Sequence, residues 1–153
     1  MKNTLILIGC ILGCVSVGAL SGFGTSAGLA TWYPTAIKPS FNPPNWVFAP
    51  VWTLLYAMMG VSIFLVWKNA GVQKKSFILF FIQLALNFFW SFLFFYFNQL
   101  GLALIEIILL WGFILATILS FSKHSKTAAY LLVPYLLWVS FATVLTAAFY
   151  QLN

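Results

Sequence analysis

Few side chains here could do conventional chemistry. The 153 residues include a single acid, Glu106, and a single histidine, His124. One carboxyl cannot form the pair used in general acid–base or glycoside chemistry. His124 lies between Lys123 and Lys126, and with no aspartate in the chain it cannot complete a Ser-His-Asp system. There is no metal-ligand spacing and no phosphate-binding Gly-Lys loop, so no metal site is assigned. Cys10 and Cys14 lie four residues apart inside an apolar run and read as small buried side chains rather than a disulfide. What remains is aromatic: 7 Trp, 6 Tyr and 17 Phe, with a few amides and hydroxyls among them. Such residues suit binding, conduction, or one-electron and photochemical processes with a bound chromophore. Hydrolysis and conventional group transfer are not indicated.

The elements that must hold these rings are membrane spans. Hydrophobic residues make up 63% of the chain and charged ones 5%, whereas a soluble domain is about 25% charged. The fold class expected is an all-α integral membrane protein, a single five-transmembrane-helix bundle over residues 1–153. Apolar runs near the ~20 residues needed to cross a bilayer fall at about 5–26, 46–67, 77–97, 102–121 and 128–150. The first exceeds the ~7–15-residue core of a secretory signal, so it is kept as a span. The odd number argues against a simple inverted duplication. The net charge of +6 comes from scattered lysines without arginine, which points to topology rather than nucleic acid. Lys2, Lys68, Lys74, Lys75, Lys123 and Lys126 fall on one side and only Lys38 on the other. The positive-inside rule then puts the N-terminus in the cytoplasm, with the 27–45 loop and the C-terminus outside.

Within the spans, the polar groups carry information, because lipid cannot satisfy them. Gln83, Asn87, Trp90, Ser91 and Phe94 recur at helical spacing on one face of the third span. Tyr135, Trp138, Ala142, Thr143 and Thr146 lie close to one face of the fifth, and the second offers Trp52, Tyr56 and Met59. Trp46 and Trp67 fit interfacial belts. By helical rise, Asn87 and Trp138 lie roughly 15 Å from the cytoplasmic edge, and Trp52 and Trp90 roughly 9–10 Å below the opposite one. Trp111 is also placed deep. Rings at such depth either fill the bundle core or line an aromatic pocket, and the convergence of Trp52, Trp90, Asn87 and Trp138 favours the pocket. Glu106, about one turn into the fourth span, could relay a proton or act as a counter-ion. The alternative is a structural carboxyl, protonated or reaching the interface toward Lys38. Cys10, Cys14, Gly18, Gly22 and Ser26 form a small-residue ladder on the first span, with Gly9 and Gly13 beside it, for close helix packing within the bundle or against a second copy.

Between the first two spans lies WYPTAIKPSFNPPNWVFAPVWTLLY, Trp32 to Tyr56. Pro34, Pro39, Pro43 and Pro44 exclude regular helix from its first half. Trp32, Tyr33, Phe41 and Trp46 give it area to pack. It reads either as a structured lid over a pocket or as a stiff connector.

WY, KPSFNPP, NW and APVW within Trp32–Trp52, QLALNFFW at Gln83–Trp90, ALIE at Ala103–Glu106 and PYLLWVSFATVL at Pro134–Leu145 together resemble the translocator protein family. Its members are also called tryptophan-rich sensory proteins and were formerly called peripheral-type benzodiazepine receptors. The likeness spans nearly the whole chain. It implies a five-helix bundle with a pocket under the first loop that binds porphyrins, such as protoporphyrin IX or haem, and isoquinoline or benzodiazepine ligands, with no obligatory cofactor. Carried over by position, Trp52, Asn87, Trp90, Trp138 and Ala142 would line the pocket, with Tyr33 and Pro43 in the lid; Tyr56 and Ser91 join them from the helical faces above. The resemblance further implies frequent homodimers and, for bacterial relatives, tetrapyrrole handling and light-dependent porphyrin breakdown, in which Trp52 and Trp138 would be the redox-active residues. The chain departs from animal relatives after Tyr150, where Gln151, Leu152 and Asn153 supply no basic residue for a cholesterol motif. A bacterial cell membrane is the location expected. Three functions follow: a porphyrin receptor or sensor that senses or degrades its ligand, a carrier of porphyrin or another amphipathic ligand, and a membrane interaction partner.

Overall fold

Glycine and proline mark two of the helix breaks, at Gly71 and Pro134. The computed structural model describes residues 1–153 and contains helices and turns only. Helix α1 is Lys2–Ala30. After a turn-rich segment and a short 3₁₀ turn at Asn45–Val47, α2 runs Phe48–Ala70 and stops at Gly71, whose φ of 70° is one that glycine adopts without strain. Helix α3, Lys74–Ser91, continues as a π turn at Phe92–Tyr96. Asn98, at φ 51°, reverses the chain into α4, Leu100–Ser122. The last span is α5, Lys126–Leu131, followed by α6, Val133–Leu152. Pro134 in the first turn of α6 explains that break, since it lacks the N–H that would continue the ladder from α5. Counting α5 and α6 as one, there are five helices long and apolar enough to cross a membrane.

These spans form a ring. α1 packs on α2 and on the π-turn end of α3, α3 on α4, α4 on the last span, and the α5 portion of that span back on α2. Beyond Pro134, α2 and α6 make little close backbone contact, and large rings occupy the space between them. Outward faces expose Leu12, Leu109, Leu137 and similar side chains, an apolar girdle that only lipid or another membrane helix could cover. The molecule is an integral membrane protein. Lys2, Lys68, Lys74, Lys75, Lys123 and Lys126 sit at helix ends on one side of the bundle, and Lys38 lies at the other.

The first helix is longer than the pattern suggested, taking in residues 27–30 that were assigned to the loop. Its glycines explain why it can continue. Gly28 rests directly on the backbone of Phe95 in the π turn, Gly24 on Phe92, and Gly18 on the ring of Tyr56, while Gly60 of α2 abuts Cys10 and Ile11. Part of the small-residue ladder therefore works inside the bundle. Gly9, Gly13 and Gly22 have no neighbour within 4 Å of where a side chain would begin.

The segment after α1 is folded onto the bundle, not a bare connector. The Trp32 indole donates to the Phe95 carbonyl at 2.7 Å. Tyr33, 1% exposed, stacks on Phe149 at 5.4 Å and donates to Asn42 Oδ1 at 2.8 Å. The Asn153 side chain accepts from the Ile37 N–H at 2.9 Å and donates to its carbonyl at 3.0 Å.

Overpacking at the glycine contacts should loosen α1. Gly28→Ala and Gly60→Ala are expected to cost about 1–3 kcal/mol each, while Gly13→Ala should stay within about 0.5 kcal/mol of the parent. Thermal unfolding in detergent measures this; equal shifts for all three would mean that α1 does not depend on these approaches.

Candidate ligand site

On the lid side a cavity of about 310 Å³ lies between α1 and α2. Val15, Gly18, Ser21, Gly22, Thr25 and Leu29 of α1 form one wall, and Phe48, Ala49, Trp52, Thr53 and Tyr56 of α2 form the other. Ser91 of α3 closes the back, held to α1 by the Ser21–Ser91 hydrogen bond at 2.8 Å. Asn45 and Leu29 border it on the lid side. The volume is at the low end for small-molecule sites, about 300–1,000 Å³.

Behind Trp52 the indoles converge. The Trp52 ring lies 6.5 Å from Trp90 and 6.4 Å from Trp138, centroid to centroid, and 6.3 Å from Tyr135. Phe48 packs edge-on to Trp138, and Trp90 stacks on Phe94 at 5.2 Å. Rings from α2, α3 and α6 thus fill the gap left where α2 and α6 diverge. They touch one another, and the open volume lies to the α1 side of them.

A short polar chain crosses the same level. Asn87 Nδ2 donates to the Tyr135 hydroxyl at 2.9 Å, and that hydroxyl donates to Gln83 Oε1 at 2.7 Å. All three residues are 1% exposed. Several buried groups remain without partners: Trp90 Nε1, Trp138 Nε1, Gln83 Nε2 and the Tyr56 hydroxyl. Unpaired buried donors are rare enough in native interiors to call for an explanation.

The candidates from the sequence fall into three places. Trp52, Tyr56 and Ser91 line the cavity. Asn87, Trp90, Trp138 and Ala142 are in the packed interior beside it; Trp90 adjoins the cavity-lining ring of Trp52, and Trp138 those of Trp52 and Phe48. Tyr33 and Pro43 lie in the folded segment above and do not line the cavity. The face of α3 holding Gln83, Asn87, Trp90, Ser91 and Phe94 is buried throughout.

Other expectations need correction. Trp111 is at mid-span but outward-facing, its indole donating to Ser140 Oγ at 2.8 Å across a shallow groove shared with Ile108 and Thr143. With its N–H satisfied by a neighbouring helix, an indole can sit at that depth outside any pocket. Thr143 therefore does not share the inward face of Tyr135 and Thr146; its hydroxyl bonds to the Val139 carbonyl of its own helix. Glu106 does not reach Lys38. Its carboxyl is turned inward with no hydrogen-bond partner, and the Lys38 ammonium bonds to the Pro34 and Ala36 carbonyls above the Tyr33 ring.

Residues 10–152 match the sequence model of the TspO/MBR family. The chain belongs to this family. It is 45% identical to the tryptophan-rich protein TspO of Chlorobaculum tepidum, over 99% of this chain and 98% of that protein. It is 42% identical to the protein of the same name from Archaeoglobus fulgidus, over 99% of each. The translocator protein of Homo sapiens is 39% identical over 95% of this chain and 84% of its own length. The matched residues of this TspO/MBR chain include the aromatic segment and all of α2, α3 and α6.

Sequence reasoning missed the α1 wall of the cavity. Ser21 and Thr25 were the available signal, since hydroxyls in the lid half of an otherwise apolar span have to find protein or a cavity. Phe48, Ala49 and Thr53 were likewise passed over.

Two outcomes are expected. Tyr135→Phe strands the Asn87 amide and the Gln83 carbonyl together, and should destabilise the detergent-solubilised protein by about 1–3 kcal/mol; no change in unfolding temperature would mean that both amides find other partners. Burial raises the Tyr33 phenol above its ordinary 10.0. Its contribution is then complete below the unfolded tyrosine value and lost as pH rises through the folded one. Amide-exchange protection of residues 31–45, corrected for the intrinsic pH dependence of exchange, should stay level to about pH 9 and fall above about pH 10. In Tyr33→Phe that alkaline fall should shrink, and an identical profile would assign it to another group.

Proposed function

We propose that this TspO/MBR-family protein is a membrane receptor and sensor that binds porphyrins in the lid-side half of the bundle, with isoquinoline- and benzodiazepine-type compounds as smaller ligands of the same site. The observation that carries this reading is the junction of a cavity with three indoles from separate helices, two of which keep unpaired N–H groups. A flat aromatic guest would stack on the Trp52 face, and pairing the indole N–H groups behind it would require that ring to move. A bicyclic ligand fits about 310 Å³; a porphyrin would need the Trp52 ring to swing or would project through the cavity opening. One relative, from Cereibacter sphaeroides, carries the name tryptophan-rich sensory protein, in keeping with this reading.

Light-dependent porphyrin breakdown is the activity suggested for this site. The excited macrocycle would take an electron from Trp52 or Trp138 and pass it to dioxygen. The indole cation radical would then recover an electron from the ring, and the ring cation radical would combine with superoxide, so that the net change is addition of O₂ to the porphyrin with the indole restored. The lysine distribution supports a bacterial cell-membrane orientation with Lys2 in the cytoplasm and the 31–45 segment outside. The open strip at Gly9 and Gly13 would suit a homodimer. A carrier is less well supported. Toward the lysine-rich end, below Gln83, the interior includes Phe80 stacked on Phe121, and its buried hydroxyls at Ser62, Ser76 and Thr117 are already hydrogen-bonded within the protein, which leaves polar cargo few partners.

Protoporphyrin IX should quench tryptophan fluorescence saturably. Under illumination, Trp52→Phe and Trp138→Phe should each slow the loss of porphyrin absorbance several-fold. Unchanged loss in both would reduce the indoles to packing. Protein-dependent movement of porphyrin across liposomes would favour the carrier instead.

A further inference from the structure

We propose that the cavity is reached sideways, from the acyl region of the lid-side leaflet, through a mouth between α1 and α2, and not from water past the 31–45 segment. That the molecule entering is the guest described above rests on the preceding reading; the mouth itself does not.

The wall residues sort by exposure. Ser21, Phe48, Tyr56 and Ser91 are buried and form the floor. Ala19, Gly22, Ser26, Ala49 and Thr53 also line the cavity, yet are exposed on the outer surface of α1 and α2. They are small, and at Gly22 nothing lies within 4 Å of an added Cβ. By helical rise, Gly22 is roughly 12 Å and Thr53 roughly 8 Å in from the lid-side ends of their helices. A hydrocarbon core about 30 Å thick puts that depth within one leaflet's acyl chains. The mouth is also suited to lipid: Ser26 and Thr53 donate to carbonyls of their own helices, Phe23 and Ala49, so neither presents an unpaired donor to the bilayer.

The route from water is fastened. The Trp32–Phe95 bond, the Tyr33–Asn42 bond and the pair of bonds between Asn153 and Ile37 tie the segment to the π turn and to the end of α6. Displacing this segment would break these contacts and unstack Tyr33 from Phe149; entry from the side disturbs none of them.

At the floor, Tyr56 is 2% exposed and its hydroxyl has no partner. A mouth of small residues leading to the Tyr56 ring and an indole face selects a flat, membrane-dissolved aromatic molecule.

A bilayer-dissolved aryl diazirine tests the route without any assumption about the natural guest. After photolysis in liposomes, peptide mapping should find insertion at Tyr56. Gly22→Phe and Ala49→Phe, which plug the mouth from opposite helices, should each reduce it about tenfold, the scale on which association rates vary among mutants of one interface. Asn153→Ala and Trp32→Phe, which loosen the segment above, should leave it unchanged. Insertion confined to outward residues such as Leu20 and Leu54 would overturn the proposal. So would insertion at Tyr56 that ignores both plugs and rises with Asn153→Ala. Protoporphyrin IX should compete for the Tyr56 insertion. If it does not, while both plugs still block the reagent, the porphyrin reading fails and the lateral mouth stands.

Discussion

The hydrogen bonds that Tyr135 makes to Gln83 and Asn87 underlie the arrangement of the lid-side half. In hydrocarbon a stranded amide is costly, so once these residues are present α3 and α6 must meet at this level. Their meeting brings Trp90 and Trp138 inward together. Trp52 completes the group from α2 and, with Phe48, brings the cluster to the cavity wall. The polar chain sets the geometry, and the indoles use it.

A second constraint comes from the backbone. Proline at position 134 separates the last span into two helical pieces, and α2 stays close only to the first. Large rings fill the widening gap on the α6 side. On the α1 side the small residues divide by face rather than by height: Gly18, Gly24 and Gly28 press against the bundle, while Gly22 has no neighbour within 4 Å of an added Cβ and borders the cavity with Ala19. One helix thereby does two jobs: its buried glycines seat it on Tyr56 and on the π turn, and its exposed small residues form one edge of an opening.

Much of the fold was legible in the chain, and part of the site was. Apolar runs and lysine positions identify spans and ends because length and charge are properties of a segment by itself. The α3 face from Gln83 to Phe94 was readable for a similar reason: polar groups at helical spacing must all turn one way in lipid. Trp111 and Thr143 were misplaced because periodicity gives the angle between residues on one helix and not the direction of the neighbouring helix. The α1 wall was overlooked because that span is apolar nearly all round and has no pronounced polar face from which to infer an inward side.

By itself, then, the sequence determined that this is a five-span membrane protein with a proline-stiffened aromatic segment on one side, little conventional catalytic chemistry, and indoles at unusual depth. These follow from local quantities: hydropathy, backbone restriction by proline, and the requirement that buried polar groups find partners. Only the tertiary structure decided that the indoles pack against one another, that Glu106 turns away from Lys38, and that the open volume lies between α1 and α2. Those outcomes depend on how closely particular helices approach, and that distance is set by pairs of surfaces, such as Gly28 on Phe95, whose two halves lie far apart in the chain.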